Sequence, residues 1–260
     1  MKKFSVLMPI GPNVDHNIFK KAWKSILEQT LIPNEIIIIL DGLKKFQKII
    51  ILEITKDYKN LKYFDLPKQE CLADVLNYGL LKCKYQYVAR VDADDINYPE
   101  RFKTQIAKIN EDEIDIIGSS MKFIIGNKIK IRNKSSFSNI YKFINPLNHP
   151  TIILDRIKIL SIGGYPKLKR FEDYSLWFKS IKNNFKIVNL AKPLVYTYVD
   201  KNYFKRRSGW KYFKYEVKFQ IYLYKEKHIN FLIFIFNLFT RSLISLFGIL
   251  IKPIIFKYIY

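Results

Sequence analysis

Three carboxylates stand within four residues in the stretch Tyr87-Val88-Ala89-Arg90-Val91-Asp92-Ala93-Asp94-Asp95. Acids this close repel one another unless a cation or hydrogen-bond donors compensate them. Oxygen-only ligands suit a hard divalent ion, Mg²⁺ or Mn²⁺, and such an ion also takes oxygens from a diphosphate. The same three residues also suit a solvated acidic turn in which Asp94 or Asp95 caps the next helix. A second acidic pair, Glu172-Asp173, lies far downstream and opens a segment with helical spacing through Trp177, Phe178 and Ile181. A carboxylate there could take a proton from a hydroxyl within about 3 Å, or merely favour the helix dipole by about 0.3–1 kcal/mol. Asp41, just before Gly42, reads either as a ligand contact at a strand end or as an ordinary turn.

The elements that must position these groups alternate along the first half of the chain. Phe4 to Ile10 reads as a strand ending in Gly11-Pro12-Asn13, and Asn17 to Thr30 as an amphipathic helix. Glu35 to Leu40 is a continuous apolar run into Asp41-Gly42, the pattern of a strand buried on both faces. Ile49–Tyr58 and Leu72–Lys82 read as helices, Leu61–Leu66 and Tyr87–Val91 as strands, with Pro99 near the start of a further helix. Such alternation predicts an α/β fold with a doubly wound, mostly parallel sheet that binds ligands beyond the carboxyl ends of its strands. Gly11, Asp41 and Asp92 to Asp95 all fall on that edge. From Ile114 the pattern changes. A strand Ile114–Ser119 is followed by Met121–Ile125 and Lys128–Arg132 flanking a Gly126-Asn127 turn. Then come a polar stretch Asn133–Asn139, a short strand Thr151–Leu154 and a Gly163-Gly164-Tyr165-Pro166 loop.

The chain has 260 residues, 49% hydrophobic and 26% charged, enough for one large α/β domain and an appendage without covalent staples. Its net charge of +22 implies an anionic partner: nucleic acid, anionic lipid or a phosphorylated substrate. Cys71 and Cys83 show no metal spacing, which fits buried thiols in a reducing cytosol. The first apolar run stops at Pro9, too short for a signal-peptide core. Residues 201–227 carry nine basic side chains against Glu216 and Glu226, with aromatics interleaved, yet hold no motif that reads nucleic acid. Ile229–Ile251 is almost wholly apolar and about long enough to span a bilayer. Arg241 at its middle opposes spanning. Asn230, Asn237, Thr240, Arg241, Ser245 and Lys252 recur near the helical period, so the segment should lie in a membrane interface or pack on the domain. The basic residues upstream would hold it on anionic lipid. The expected surface is therefore a membrane, not nucleic acid.

The order of landmarks resembles that of a bacterial family-two glycosyltransferase with the GT-A fold. The features are Ser5-Val6-Leu7-Met8-Pro9-Ile10, Leu40-Asp41-Gly42, Leu76-Asn77-Tyr78-Gly79-Leu80 and Arg90-Val91-Asp92-Ala93-Asp94-Asp95. Asn148-His149-Pro150, Gly163-Gly164-Tyr165 and Glu172-Asp173-Tyr174-Ser175-Leu176-Trp177 follow them. The similarity covers roughly residues 3 to 200 and is nearest the subgroup that builds capsule, exopolysaccharide and lipopolysaccharide chains. It implies a GT-A catalytic domain over 1–200, its nucleotide-sugar-binding half 1–119 and its acceptor half 120–200, with 201–260 as a helical, membrane-associating tail. On the donor side it places Pro9, Asp41 at the nucleotide base, Arg90, Asp92, Ala93 and Asp94. Asp92, Asp94 and the adjacent Asp95 form the metal set for Mn²⁺ or Mg²⁺. Asp173 matches the catalytic base, with Glu172 beside it, and His149 the acceptor side, where Trp177 is also assigned although its own pattern is that of core. One departure stands out: Gln69-Glu70-Cys71 occupy the place of the usual Asn-x-Gly, which puts a nucleotide contact by that loop in doubt.

The implied reaction moves a sugar from a nucleotide donor, UDP-linked, onto a lipid-linked or growing surface-polysaccharide acceptor. One base and in-line attack predict inversion at the anomeric carbon. The enzyme would work in the cytoplasm, peripheral on the inner face of the bacterial cell membrane. The rival classes are a sugar-phosphate nucleotidyltransferase, for which no early Gly-rich triphosphate loop is found, and a non-catalytic basic module that binds membrane or nucleic acid.

Overall fold

A computed structural model describes residues 2–132, 139–200 and 202–251; most of the polar stretch (133–138), Lys201 and the Lys252 end of the tail stripe lie outside the described residues. β1 (Phe4–Ile10), α1 (His16–Leu27), β2 (Glu35–Asp41), α2 (Lys45–Thr55), β3 (Leu61–Leu66), α3 (Leu72–Lys82) and β4 (Tyr87–Arg90) alternate as the apolar runs require. After them come β5 (Asp95–Asn97), α4 (Arg101–Asp112), β6 (Ile116–Ile125), β7 (Lys128–Arg132), β8 (Ile153–Asp155), α5 (Arg156–Ser161) and α6 (Glu172–Lys182). β9 (Ile187–Tyr198) closes the sheet, and α7 (Trp210–Lys225) and α8 (Phe231–Leu246) form the tail.

The sheet runs β3-β2-β1-β4-β8-β6-β9-β5, with β7 on the side of β6. β3, β2, β1 and β4 are mutually parallel, whereas β8 is antiparallel to both β4 and β6. Every residue of β2 is buried, as a parallel strand covered on both faces must be. Alternate side chains feed two cores. Leu7, Ile37, Ile39 and Val88 meet Leu76, Trp177 and Phe219 on one face; Val6, Met8, Ile36, Ile38 and Ala89 meet Phe19, Trp23 and Phe102 on the other.

Two expectations change. The break expected at Ser120 is no break: β6 runs through it as one strand, with register shifts against β9 on either side of Ser120. Pro193 of β9 lies opposite Ser120, at the kind of irregularity where a strand tolerates proline. The acidic loop is not a helix cap, because α4 starts at Arg101 behind Glu100, without a side-chain cap, and Asp95 instead opens β5, paired to Thr197 of β9. The tail packs on the domain, one of the placements its polar stripe allows: Phe219 of α7 stacks on Phe171 at 4.6 Å. Cys83 is buried and Cys71 half-buried, both as free thiols.

Candidate active site

β4 ends at Arg90, and the chain turns outward through Asp92 and Asp94 before β5 draws Asp95 back into the sheet. One carboxylate oxygen from each of Asp92, Asp94 and Asp95 lies within 4.8 Å of the others. Their exposure is graded: Asp94 is at the rim, Asp92 half-buried and Asp95 buried. Arg90, itself buried, forms an ion pair with Asp92. Burial, then the charges of Asp92 and Asp94, push the Asp95 carboxyl well above the usual carboxylate range despite a hydrogen bond with Thr197. Asp94 is raised too, by desolvation and then by the Asp92 charge, with Arg90 opposing. One guanidinium therefore faces three acids, and a hard cation bound through oxygens fits the remaining charge. Beneath this turn Arg101, wholly buried, donates to the Asn97 side chain, to the Arg90 carbonyl at 2.9 Å and to the Ile152 carbonyl at 3.3 Å. Sequence reasoning missed this prop. Its signal was a charge at position i with Gln105 at i+4 on the apolar face of α4.

Two sequence landmarks prove to be one joint. Asn77 donates to the Tyr165 carbonyl at 2.9 Å and accepts from its N–H at 2.8 Å. Gly164 holds φ at +70°, and a Cβ there would sit 2.3 Å from the Asn77 amide oxygen. Gly79, two residues further along α3, leaves room for Leu7, whose Cδ1 a Cβ would meet at 2.4 Å. The joint sets the Tyr165 hydroxyl 3.1 Å from His149 Nε2. Burial and then the Arg90 charge hold His149 well below its ordinary value, so it is neutral. His149 lies edge-on to Trp177 at 6.1 Å. Both assigned acceptor-side residues are thus buried, with His149 packed against the Tyr165 and Trp177 rings. Tyr165 feels the charges of Arg90, Asp92, Glu172 and Asp173 together, which brings both acidic groups to one buried ring.

Glu172 and Asp173 are the first residues of α6. Asp173 is half-buried; its Oδ1 accepts from the Tyr174 N–H at 2.7 Å and its Oδ2 from Asn145 Nδ2 at 2.9 Å. Glu172 is 8% exposed, and its Oε2 has no partner. Burial, then the neighbouring Asp173 charge, push Glu172 up to about 7, with Arg90 opposing. Asn145 was not singled out from the sequence, since nothing local marks an asparagine before Pro146 as a partner of Asp173. On the donor edge Asp41 accepts from the Gln69 N–H at 2.7 Å and pairs with Lys68. The Gln69-Glu70-Cys71 departure therefore closes on Asp41 through its backbone. Pro9 and Ala93 are half-buried, Pro9 pairing with Ile39 beside this edge.

The sheet order and its covering helices are those of the GT-A fold. The same fold occurs in S. aureus TarS residues 1–349 in complex with UDP-GlcNAc, with a TM-score of 0.67 and 21% identity over 84% of this chain and 66% of that one. A longer TarS structure, of which this chain covers 39%, superposes with a TM-score of 0.64 at 22% identity. The model of Glycosyl transferase family 2 matches residues 5–180. A UDP-Gal:alpha-D-GlcNAc-diphosphoundecaprenol beta-1,3-galactosyltransferase of Escherichia coli is 33% identical, over 98% of this chain and 95% of that protein. The amylovoran biosynthesis glycosyltransferase AmsE of Erwinia amylovora is 29% identical, over 83% of each. The chain belongs to glycosyl transferase family 2.

Proposed function

We propose that this protein transfers a sugar, with inversion, from a UDP-linked donor to a lipid-linked glycan precursor for a surface polysaccharide. The observation that carries the reading is a run of contacts from Asp173 to His149 that meets, through the Arg90 charge, the ion pair at Asp92. Asp92 pairs with Arg90, whose charge reaches His149. His149 meets Tyr165 and Trp177, and Trp177 meets Asn145, which donates to Asp173. The donor and acceptor choices rest on the names of the relatives, among them the diphosphoundecaprenol-dependent galactosyltransferase and the UDP complexes of TarS.

Asp92, Asp94 and Asp95 would hold a Mn²⁺ or Mg²⁺ ion, which supplies positive charge where the departing diphosphate becomes more negative. Asp41 faces the nucleotide base once Lys68 yields to it. Asp173, held at both oxygens but half-exposed, accepts the proton of the attacking hydroxyl. A single positioned base opposite the leaving group gives in-line attack and inversion. Glu172, raised to about 7, carries less negative charge beside that base than an exposed glutamate would.

The tail supports a membrane face as the workplace. Asn237, Ser242 and Ser245 of α8 are turned inward and buried. Leu232, Ile235, Phe236, Phe239, Leu243 and Phe247 are exposed at helical spacing. An apolar stripe facing outward beside a basic segment suits the headgroup boundary of an anionic bilayer. Among the described residues no helix is long and apolar enough to cross a membrane. Asp94→Ala and Asp173→Asn should each abolish transfer while circular dichroism shows an intact fold. Undiminished turnover in either variant removes that residue from its role.

A further inference from the structure

We propose that α8 is a positioning element for the transfer reaction: it clamps the strap at 141–145, and through Asn145 it sets the Asp173 carboxylate. The inference rests on Asp173 being the base. Three successive strap carbonyls are each captured by a side chain. The Tyr174 hydroxyl donates to the Tyr141 carbonyl at 2.6 Å, Asn237 Nδ2 to that of Lys142 at 2.9 Å and Arg241 Nη1 to that of Phe143 at 2.6 Å. Two of the three donors belong to α8.

Arg241 cannot swing away freely. Its Nε and Nη2 donate to Glu216 of α7 at 2.7 and 3.3 Å, and its guanidinium lies over the Tyr174 ring at 5.3 Å. Glu216 is buried and is also held by Gln220 Nε2 at 2.9 Å. One guanidinium therefore joins α7, α8 and the strap. The strap has no strand pairing of its own, only a 3₁₀ turn at Asn139–Lys142, so these side chains set its path.

Two residues beyond Phe143, the Asn145 amide is oriented from both ends. Its Oδ1 accepts from Trp177 Nε1 at 3.1 Å and from the Leu147 N–H at 3.2 Å. An oxygen occupied by two donors leaves Nδ2 as the end that faces Asp173. A fixed donor holds the carboxylate in one rotamer. Misplacement of a reacting group by about 1 Å costs about a hundredfold in rate. Asn145 and Arg241 are thus positioning residues, and an event that loosens α8 would slow transfer without touching the donor site.

The test compares Asn145→Ala, Asn237→Leu and Arg241→Met with the wild-type full chain, each checked for folding by circular dichroism. Expected is a fall in kcat of about ten- to a hundredfold, with UDP affinity in Mn²⁺ unchanged. Should Arg241→Met fail to fold, Asn145→Ala and Asn237→Leu decide the matter. Wild-type kcat in those two folded variants overturns the proposal. So does a fall in kcat matched by a parallel loss of UDP affinity, the result expected of tail glue alone. Asp173→Asn separates this from the reading beneath it: if it retains turnover, the base assignment fails, whereas a dead Asp173→Asn beside fully active strap variants sinks only the strap.

Discussion

Replacing Glu172 by glutamine should stabilise the protein in alkali and not in acid. Glu172 lies buried at the start of α6 with Oε2 unpartnered, and its carboxyl is raised from 4.5 to about 7. An acid raised in this way costs the fold nothing below its ordinary value, because folded and unfolded chains both hold the proton. The cost grows as pH rises from about 4.5, where only the unfolded chain ionises, and is complete above about 7. At about 1.36 kcal/mol per tenfold change in proton affinity, it reaches about 3 kcal/mol at pH 8 and less than about 1 kcal/mol at pH 5. The glutamine side chain does not titrate. Any penalty for its own unpartnered amide is the same at both pH values and cancels in the difference. Urea unfolding of wild type and Glu172→Gln at pH 5 and pH 8 gives the comparison. The variant should gain about 2–3 kcal/mol relative to wild type between the two conditions. A difference that stays level across that range would show that Glu172 ionises like a hydrated carboxylate, and the burial argument would be wrong.

Gly79→Ala forces a methyl against Leu7 Cδ1 and should cost about 1–3 kcal/mol by overpacking; a urea midpoint equal to wild type would refute the close approach of α3 to β1. Arg241→Met leaves the Glu216 charge buried and alone and should cost about 3–5 kcal/mol, most of it recovered when Glu216→Leu is added. Equal instability of single and double variants in the same assay would argue against a desolvated pair. Leu232→Asp with Phe239→Asp, which strips side chains 77% and 69% exposed, should reduce flotation with anionic phosphatidylglycerol vesicles. At about 1.5–3 kcal/mol for each apolar side chain withdrawn from lipid, the loss should be tenfold or more. Transfer to a water-soluble acceptor analogue should stay as it was, and unchanged flotation would remove α8 from the membrane contact.

The parts of the fold governed by local pattern were legible. The run 35–40 is the wholly buried β2, and the helix expected over Leu72–Lys82 has those bounds as α3. What depended on distant partners was not. β5 is three residues long and begins on an acid, so neither length nor hydropathy marks it; it exists because β9 pairs with it. β9 carries Lys192 and Pro193 at its middle, which obscured its period until the irregularity at Ser120 explained them. Periodicity exposed the polar stripe of α8 but not its direction: Asn237 and Arg241 point at backbone carbonyls of the strap, and the apolar side faces out. The acid triad was readable from its spacing, whereas Arg101, Asn145 and the burial of His149 were not, since each is defined by contacts many residues away. Asn77 and Gly164 were visible as separate landmarks; that they form one joint needed the third dimension.

The central claim is that a cation-binding triad grips the leaving nucleotide while a separate carboxylate activates the acceptor in the same crevice. Calorimetric titration of UDP into wild type, Asp94→Asn and Asp173→Asn, in Mn²⁺ and again in excess chelator, tests it most directly. The account predicts that Mn²⁺ strengthens UDP binding equally in wild type and Asp173→Asn and not in Asp94→Asn. Equal affinity in chelator and Mn²⁺ for the wild type, or an unaltered Mn²⁺ effect in Asp94→Asn, would contradict it.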